Sequence, residues 1–244
     1  MNLFIYDDFL KRHGKSINQV EATLHNLNLS GKIIYLESIK KIDELIKNEI
    51  VHGAKNIIAV GNNHTFNKVL NVVMTLDPKT ISALSLGIIP IGENNSIAES
   101  FGINDEKTAC HIILARRLEK IDVVQANDSF FIHTASLPAK GSILKIKEFS
   151  IDPIKNGEII LINILPKKSP AKNITGNPQD GLLNLYIINQ KNPSFFLLKE
   201  MEIENNRGKL ILDESLEVNL PAQISVGQHK INVIVGRDRT FNIE

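Results

Sequence analysis

The chain carries one cysteine, Cys110, in 244 residues. An intramolecular disulfide and a cysteine-based zinc site are therefore excluded, and the composition fits a reducing compartment. Neither sign of charge is in excess. Lys and Arg total 28 against 27 Asp and Glu, so no bulk field recommends nucleic acid or an anionic membrane as partner. Long apolar runs are missing as well. The opening Leu3-Phe4-Ile5 is cut off by Asp7 and Asp8, too short for a signal-peptide core, and nothing approaches the roughly 18 residues of a membrane span. The expectation is a cytoplasmic protein without a transmembrane segment, in which the Asn-x-Ser/Thr triplets at Asn94 and Asn173 arise by chance. The seven histidines, His13, His25, His52, His64, His111, His133 and His229, never fall in His-x-x-x-His spacing, so they build no helical metal site. What is present is ordinary for a folded chain: 43% hydrophobic and 23% charged residues exclude disorder, collagen and coiled coil. The length allows two small domains or one large one.

Residues 1–125 alternate short β-branched runs with segments of helical period, the pattern of a parallel sheet covered by helices. Strands are expected at 2–6, 32–36, 56–60, 86–91 and 121–124. One helix carries Ile17, Val20, Leu24 and Leu27 behind Ser16 as N-cap, and a second carries Ile39, Ile42, Leu45, Ile46 and Ile50 up to Gly53. Others are expected at 66–75, 96–101 and 106–119, the last with Cys110 and Ile113 on its apolar face, which makes the cysteine core rather than nucleophile. In residues 126–244 the period becomes alternating, with Gly, Pro and Asn turns, as in an antiparallel β-sandwich. Candidate strands are 129–134, 142–151, 158–165, 182–189, 195–203, 208–212, 216–219, 222–226, 231–235 and 239–243. The polar stretch 166–181, with Pro166, Pro170, Gly176, Pro178 and Gly181, is the longest loop, and loops of that length tend to be functional or mobile. The fold class is α/β: a parallel-sheet, nucleotide-type domain followed by an antiparallel β-sandwich domain.

Two segments carry the most chemical information. Ile57-Ile58-Ala59-Val60-Gly61-Asn62-Asn63-His64-Thr65 reads as a strand, a tight polar turn and a helix start. Such a turn aims helix N-terminal N–H groups at the carboxyl end of a parallel strand, a natural anion site. The plain alternative is a βα-turn capped by Asn63 or Thr65. Leu86-Gly87-Ile88-Ile89-Pro90-Ile91-Gly92-Glu93-Asn94-Asn95-Ser96 repeats the logic one unit later, with Ser96 as an ordinary cap in the plain reading. Two such turns at neighbouring strand ends would share one crevice.

In order and content these segments resemble the catalytic-domain family of diacylglycerol kinases, sphingosine kinases and related bacterial lipid kinases, distant relatives of the NAD kinases. Gly61, Thr65, Asn67 and Val69 match the family's Gly-Gly-Asp-Gly-Thr-x-Asn-Glu-Val loop. Leu86, Gly87, Pro90, Gly92, Asn95 and Ala98 match its Leu-Gly-x-x-Pro-x-Gly-Thr-x-Asn-Asp-x-Ala-Arg signature. Asp122 with Asn127 is similar to its junction into a second domain, and Pro178, Asp180, Gly181 and Leu183 to its Pro-x-Asp-Gly-x-Leu-Asp turn. The resemblance implies ATP with Mg²⁺, held by Gly61, Asn62, Asn63, His64, Thr65 and Asn67 in one turn and Gly92, Glu93 and Asn95 in the other. It also implies a lipid whose hydroxyl receives the phosphoryl group.

Acids are replaced at the positions where that family uses them. Asn63 stands for the loop aspartate, Lys68 for the helix glutamate, Ser96 and Asn184 for two further aspartates. Val226-Gly227-Gln228 stands for Asp-Gly-Glu, whose aspartate is the general base implied by the resemblance. Mg²⁺ takes carboxylate oxygens, and the loss of a general base removes about 10²–10⁴ in rate. No residue is assigned as base; Asp180 and His133 are the candidates to replace Val226. His64 takes the place of a glycine and is expected to be forced into left-handed geometry, at about 1–2 kcal/mol. The expectation is a lipid kinase-like protein with weakened or lost catalysis. The alternative is a silent nucleotide- or lipid-binding protein or partner-binding scaffold. The oligomeric state stays open.

Overall fold

The computed structural model describes residues 1–36, 42–153, 156–168, 174–188, 193–205 and 208–241. From the amino terminus run β1 (Asn2–Tyr6), a 3-10 segment (Asp8–His13), α1 (Gly14–Asn26), β2 (Gly31–Tyr35), α2 (Ile42–Val51), β3 (Asn56–Gly61), α3 (Asn63–Val73), α4 (Pro78–Ala83), β4 (Ser85–Pro90), α5 (Ser96–Ser100), α6 (Glu106–Ala115) and β5 (Leu118–Ile121). Among the described residues, strands alone follow: β6 (Val124–Ala126), β7 (Ser129–Phe131), β8 (Thr134–Pro138), β9 (Ser142–Ile146), β10 (Phe149–Ile151), β11 (Glu158–Ile162), β12 (Leu183–Ile188), β13 (Ser194–Leu198), β14 (Glu200–Asn205), β15 (Lys209–Leu212), β16 (Leu216–Asn219), β17 (Ala222–Val226) and β18 (Ile231–Ile234). Ile39, Pro170, Asn173 and the end of the candidate strand 239–243 lie outside the described residues. Among the described residues, no helix is long and apolar enough to cross a membrane.

The chain divides into two compact units, Met1–Lys120 with the segment from Ile231, and Ile121–Lys230. The first holds a sheet of order β2-β1-β3-β4-β18-β5, parallel from β2 through β18. Its central strands are continuous apolar runs because helices cover both faces; all six residues of β4 are buried. The second unit holds two antiparallel sheets, β10-β9-β14-β17-β6-β7 and β13-β12-β11-β8-β15-β16. They share one core that includes Val124, Phe131, Leu144, Leu161, Leu185, Ile203, Leu210 and Ile224. Along β12, Leu183, Leu185 and Ile187 face that core, whereas Tyr186 joins Ile160, Ile162 and Ile174 on the other face. The loop 166–181 is therefore anchored in part: Ile174 packs on the sheet, and Thr175 N–H donates to the Tyr186 hydroxyl at 2.9 Å.

The expected α/β class with a following antiparallel β region is the one adopted. Its finer boundaries differ. The second region does not extend over all of 126–244, because β18 returns to the first sheet, where Asn232 Nδ2 donates to the carbonyls of Ser82 and Leu84. Ile231, Val233 and Ile234 are all fully buried, a two-sided apolar pattern that suits a central parallel strand and not a half-exposed one. Ser16 is not an N-cap; α1 already begins at Gly14. The helix predicted over 106–119 ends at Ala115, where Arg116 adopts left-handed φ of 50°. The run 195–203 divides into β13 and β14, which join different sheets, and 142–151 forms the hairpin of β9 and β10.

Candidate functional site

The two glycine turns stand side by side. β3 and β4 pair in parallel with Gly61 opposite Pro90, and Ile91 N–H donates to the Gly61 carbonyl at 2.9 Å. Gly61 is required by space: a Cβ there would lie 2.2 Å from Thr65 Oγ1. Gly92, at φ of 80°, turns against the 3-10 segment, and a Cβ would approach Phe9 Cε2 to 3.1 Å and His13 Nε2 to 3.6 Å.

Asn62 caps α3. Its side-chain oxygen accepts from His64 N at 3.1 Å and Thr65 N at 3.4 Å, while Thr65 Oγ1 accepts from Asn62 N at 3.3 Å, a reciprocal capping box. Asn63 N donates to Asn94 O, and Phe66 N to Asn62 O. The first N–H groups of this helix thus have partners within the chain, contrary to the picture of donors left open for an anion. His64 lies inside α3 and is absent from the residues of positive φ. The strain expected there does not arise, because a capped first turn keeps ordinary helical geometry. The His64 side chain is exposed, and Asn67 is buried in α3.

Asn63 is the hinge pin between the turns. It is fully buried, its Nδ2 donates to Ser96 Oγ at 2.8 Å, and its Oδ1 accepts from Ile97 N at 3.1 Å. Asn63 therefore caps α5 from a different element, since Asn95 offers that helix no side-chain cap and turns its Nδ2 to the Gly92 carbonyl at 2.8 Å. Glu93 is exposed on the same turn.

Sequence reasoning passed over Asp7. It follows β1, is 7% exposed, accepts from Thr65 Oγ1 at 2.8 Å, and lies 3.6 Å from Lys68 Nζ, whose side chain is 40% exposed. Its place directly after the first parallel strand was the available signal. The lysine in the position of an acid thus sits against an acid that follows the first strand. Asn63 is neutral with both ends of its amide engaged, and Asp7 is a buried carboxylate whose Oδ2 is taken by Thr65 and Lys68, so the two offer a divalent cation too few open oxygens to fit it. Among the described residues, no group of three His, Cys, Asp or Glu side chains is arranged to hold a metal ion.

In the second unit, two segments matched by the resemblance, the junction at Asp122 and the turn at 178–181, meet at Asp122, which is 1% exposed. Its Oδ1 lies 3.0 Å from Lys230 Nζ, its Oδ2 accepts from Gly181 N at 2.9 Å, and its own N–H donates to the Pro178 carbonyl. Lys230 also donates to the Gln179 carbonyl. Lys230 carried no local signal, because the pairing spans most of the second unit. Asp180 is exposed and turns Oδ1 to Leu182 N. Val226 closes β17 and packs against the apolar core, whereas Gln228 is exposed. His133 is fully buried, and burial lowers its pKa to about 3, so its imidazole is neutral near pH 7. Asp213 accepts from the N–H groups of Ile132, His133 and Thr134, and burial raises its pKa to about 7.

Residues 10–126 match the family model of the diacylglycerol kinase catalytic domain. A diacylglycerol kinase of Bacillus subtilis strain 168 is 35% identical over 81 residues, which are 32% of this chain. The match covers only 25% of that relative's length. A diacylglycerol kinase structure from Bacillus anthracis str. Sterne aligns over 97% of both chains, with TM-score 0.75 and 14% identity. An NAD kinase from Archaeoglobus fulgidus, solved in complex with ATP, aligns over 98% of this chain and 96% of its own, with TM-score 0.56 and 10% identity. At these identities the structural likeness speaks for the fold alone.

Proposed function

From the membership of residues 10–126 in the diacylglycerol kinase catalytic-domain family, we propose that this protein binds a nucleotide at the Gly61 and Gly92 turns and has largely lost phosphoryl transfer to a lipid. Transfer of this kind depends on metal ions, positioned charge and an acceptor for the hydroxyl proton. The observation that carries the reading is Asn63, whose buried amide is committed at both ends to Ser96 and Ile97 and offers no charge to a metal. Val226, packed on the apolar core, has no atom able to take a proton. The place of the paired turns, at adjacent carboxyl ends of parallel strands, supports retention of a nucleotide, with the first N–H groups of α3 engaged within the chain and so not its main anchor.

Two measurements on the full chain test this. Millimolar ATP should raise the unfolding temperature; saturation at a hundred times Kd adds about 2.7 kcal/mol of stability. The same protein, given radiolabelled ATP and vesicles containing diacylglycerol, should label lipid no faster than background. Absence of a thermal shift overturns nucleotide binding. The match to the Bacillus subtilis kinase favours a second reading, retained ATP-dependent phosphorylation of a lipid hydroxyl, and labelled lipid at an enzymatic rate would establish it in place of ours.

A further inference from the structure

We infer that the phosphates of the bound nucleotide are met without a divalent cation, with the Lys68 ammonium as the fixed positive charge. The inference rests on the nucleotide reading above and concerns how that same site handles charge.

A divalent cation at the two turns would need oxygen ligands that are free to turn toward it. Asn63 Oδ1 is held by Ile97 N, and Asp7 is a buried carboxylate with Oδ2 on the Thr65 hydroxyl and beside Lys68, which leaves its other oxygen alone to offer. Glu93 is the carboxylate exposed on the second turn, and a single acid leaves a divalent ion largely hydrated. Positive charge is instead supplied by the chain. Lys68 lies on α3 with its ammonium 3.6 Å from Asp7 and its side chain 40% exposed, so Asp7 orients it while solvent still reaches it. An ammonium anchored in this way is a point charge able to pair with a phosphate oxygen. It also places a cation beside a turn where a second, divalent one would be repelled.

This reverses the usual dependence on magnesium. Free ATP carries more negative charge than its magnesium chelate, so a site whose cation is built in should prefer the free nucleotide. Thermal shift and titration calorimetry should give ATP in EDTA an affinity equal to or higher than ATP in excess MgCl₂. Lys68→Gln should weaken binding about tenfold, the loss expected for one charge-assisted contact, and Lys68→Arg should retain most of it. Glu93→Gln should tighten binding of free ATP by removing a repulsive charge. Mn²⁺ added without nucleotide should keep the electron paramagnetic resonance signal of the free ion. Circular dichroism melts of each variant without ligand separate loss of binding from loss of fold; if Lys68→Gln does not fold, the comparison of EDTA with MgCl₂ and the Lys68→Arg variant still decide.

A thermal shift seen only with MgCl₂, Mn²⁺ captured by the protein, or unchanged affinity in a folded Lys68→Gln would overturn the inference while leaving nucleotide binding intact. No shift with ATP under any condition would remove the nucleotide reading and this inference together.

Discussion

At the scale of single residues, the two adjacent asparagines of the first turn do different work, and substitution should separate them. Asn63→Ala leaves Ile97 N–H buried without its acceptor and unties the second turn, a loss of about 1–3 kcal/mol. Asn62→Ala removes an ordinary cap and should cost about 1 kcal/mol. Urea midpoints at constant slope read both. A second residue-scale prediction concerns pH. Asp213 ionises near 3.8 in the unfolded chain and near 7 when buried, so its folded form keeps the proton longer and stability falls as pH rises between those values. His133 behaves oppositely: the unfolded chain gains a proton below 6.5 and the folded one only near 3, so stability falls as pH drops through that window. In the wild type the two slopes oppose each other between about pH 4 and 6.5. Asp213→Asn should leave the histidine slope alone, and stability of the variant should climb with pH more steeply than the wild type by up to about 1.4 kcal/mol per unit. Equal slopes in urea titrations across that range would show that Asp213 is ionised in the folded protein.

At the scale of elements, Arg116 ends α6 in left-handed geometry that a Cβ disfavours. Arg116→Gly should therefore stabilise the protein by up to about 1 kcal/mol, visible as a raised melting temperature. The same residue shows where the sequence was silent: the usual glycine signal is missing there, so the helical period runs on from Ala115 into residues that form β5. Likewise Lys199, between β13 and β14, carries no glycine or proline to mark the passage from one sheet to another. The apolar runs of β3 and β4 were legible because burial on both faces writes itself into consecutive residues. α4 was legible in principle, since Asp77 caps Thr80 N–H ahead of Pro78 at the first helical position. For the candidate site, the glycine turns could be read, because only glycine fits at Gly61. The partners of Asp7, Asn63 and Asp122 could not, because each comes from an element distant in sequence, and local pattern carries no record of such meetings.

At the scale of the whole molecule, β18 decides what folds alone. It lies between β4 and β5 and supplies Ile231, Val233 and Ile234 to the interior of the first unit. A fragment of residues 1–125 therefore lacks an inner strand and should give a broad, non-cooperative thermal transition and poorly dispersed amide resonances. The same fragment joined by a flexible linker to residues 231–241 should recover a cooperative transition. If the shorter fragment already unfolds cooperatively, the strand is dispensable. The position of β18 also bears on how the protein emerges from the ribosome. At about 5–20 residues per second, roughly 5–20 s pass while the roughly 110 residues between Ile121 and Ile231 are synthesised. Throughout that interval β4 and β5 present unpaired edges. The unit whose strands are translated first is therefore the one whose sheet closes last.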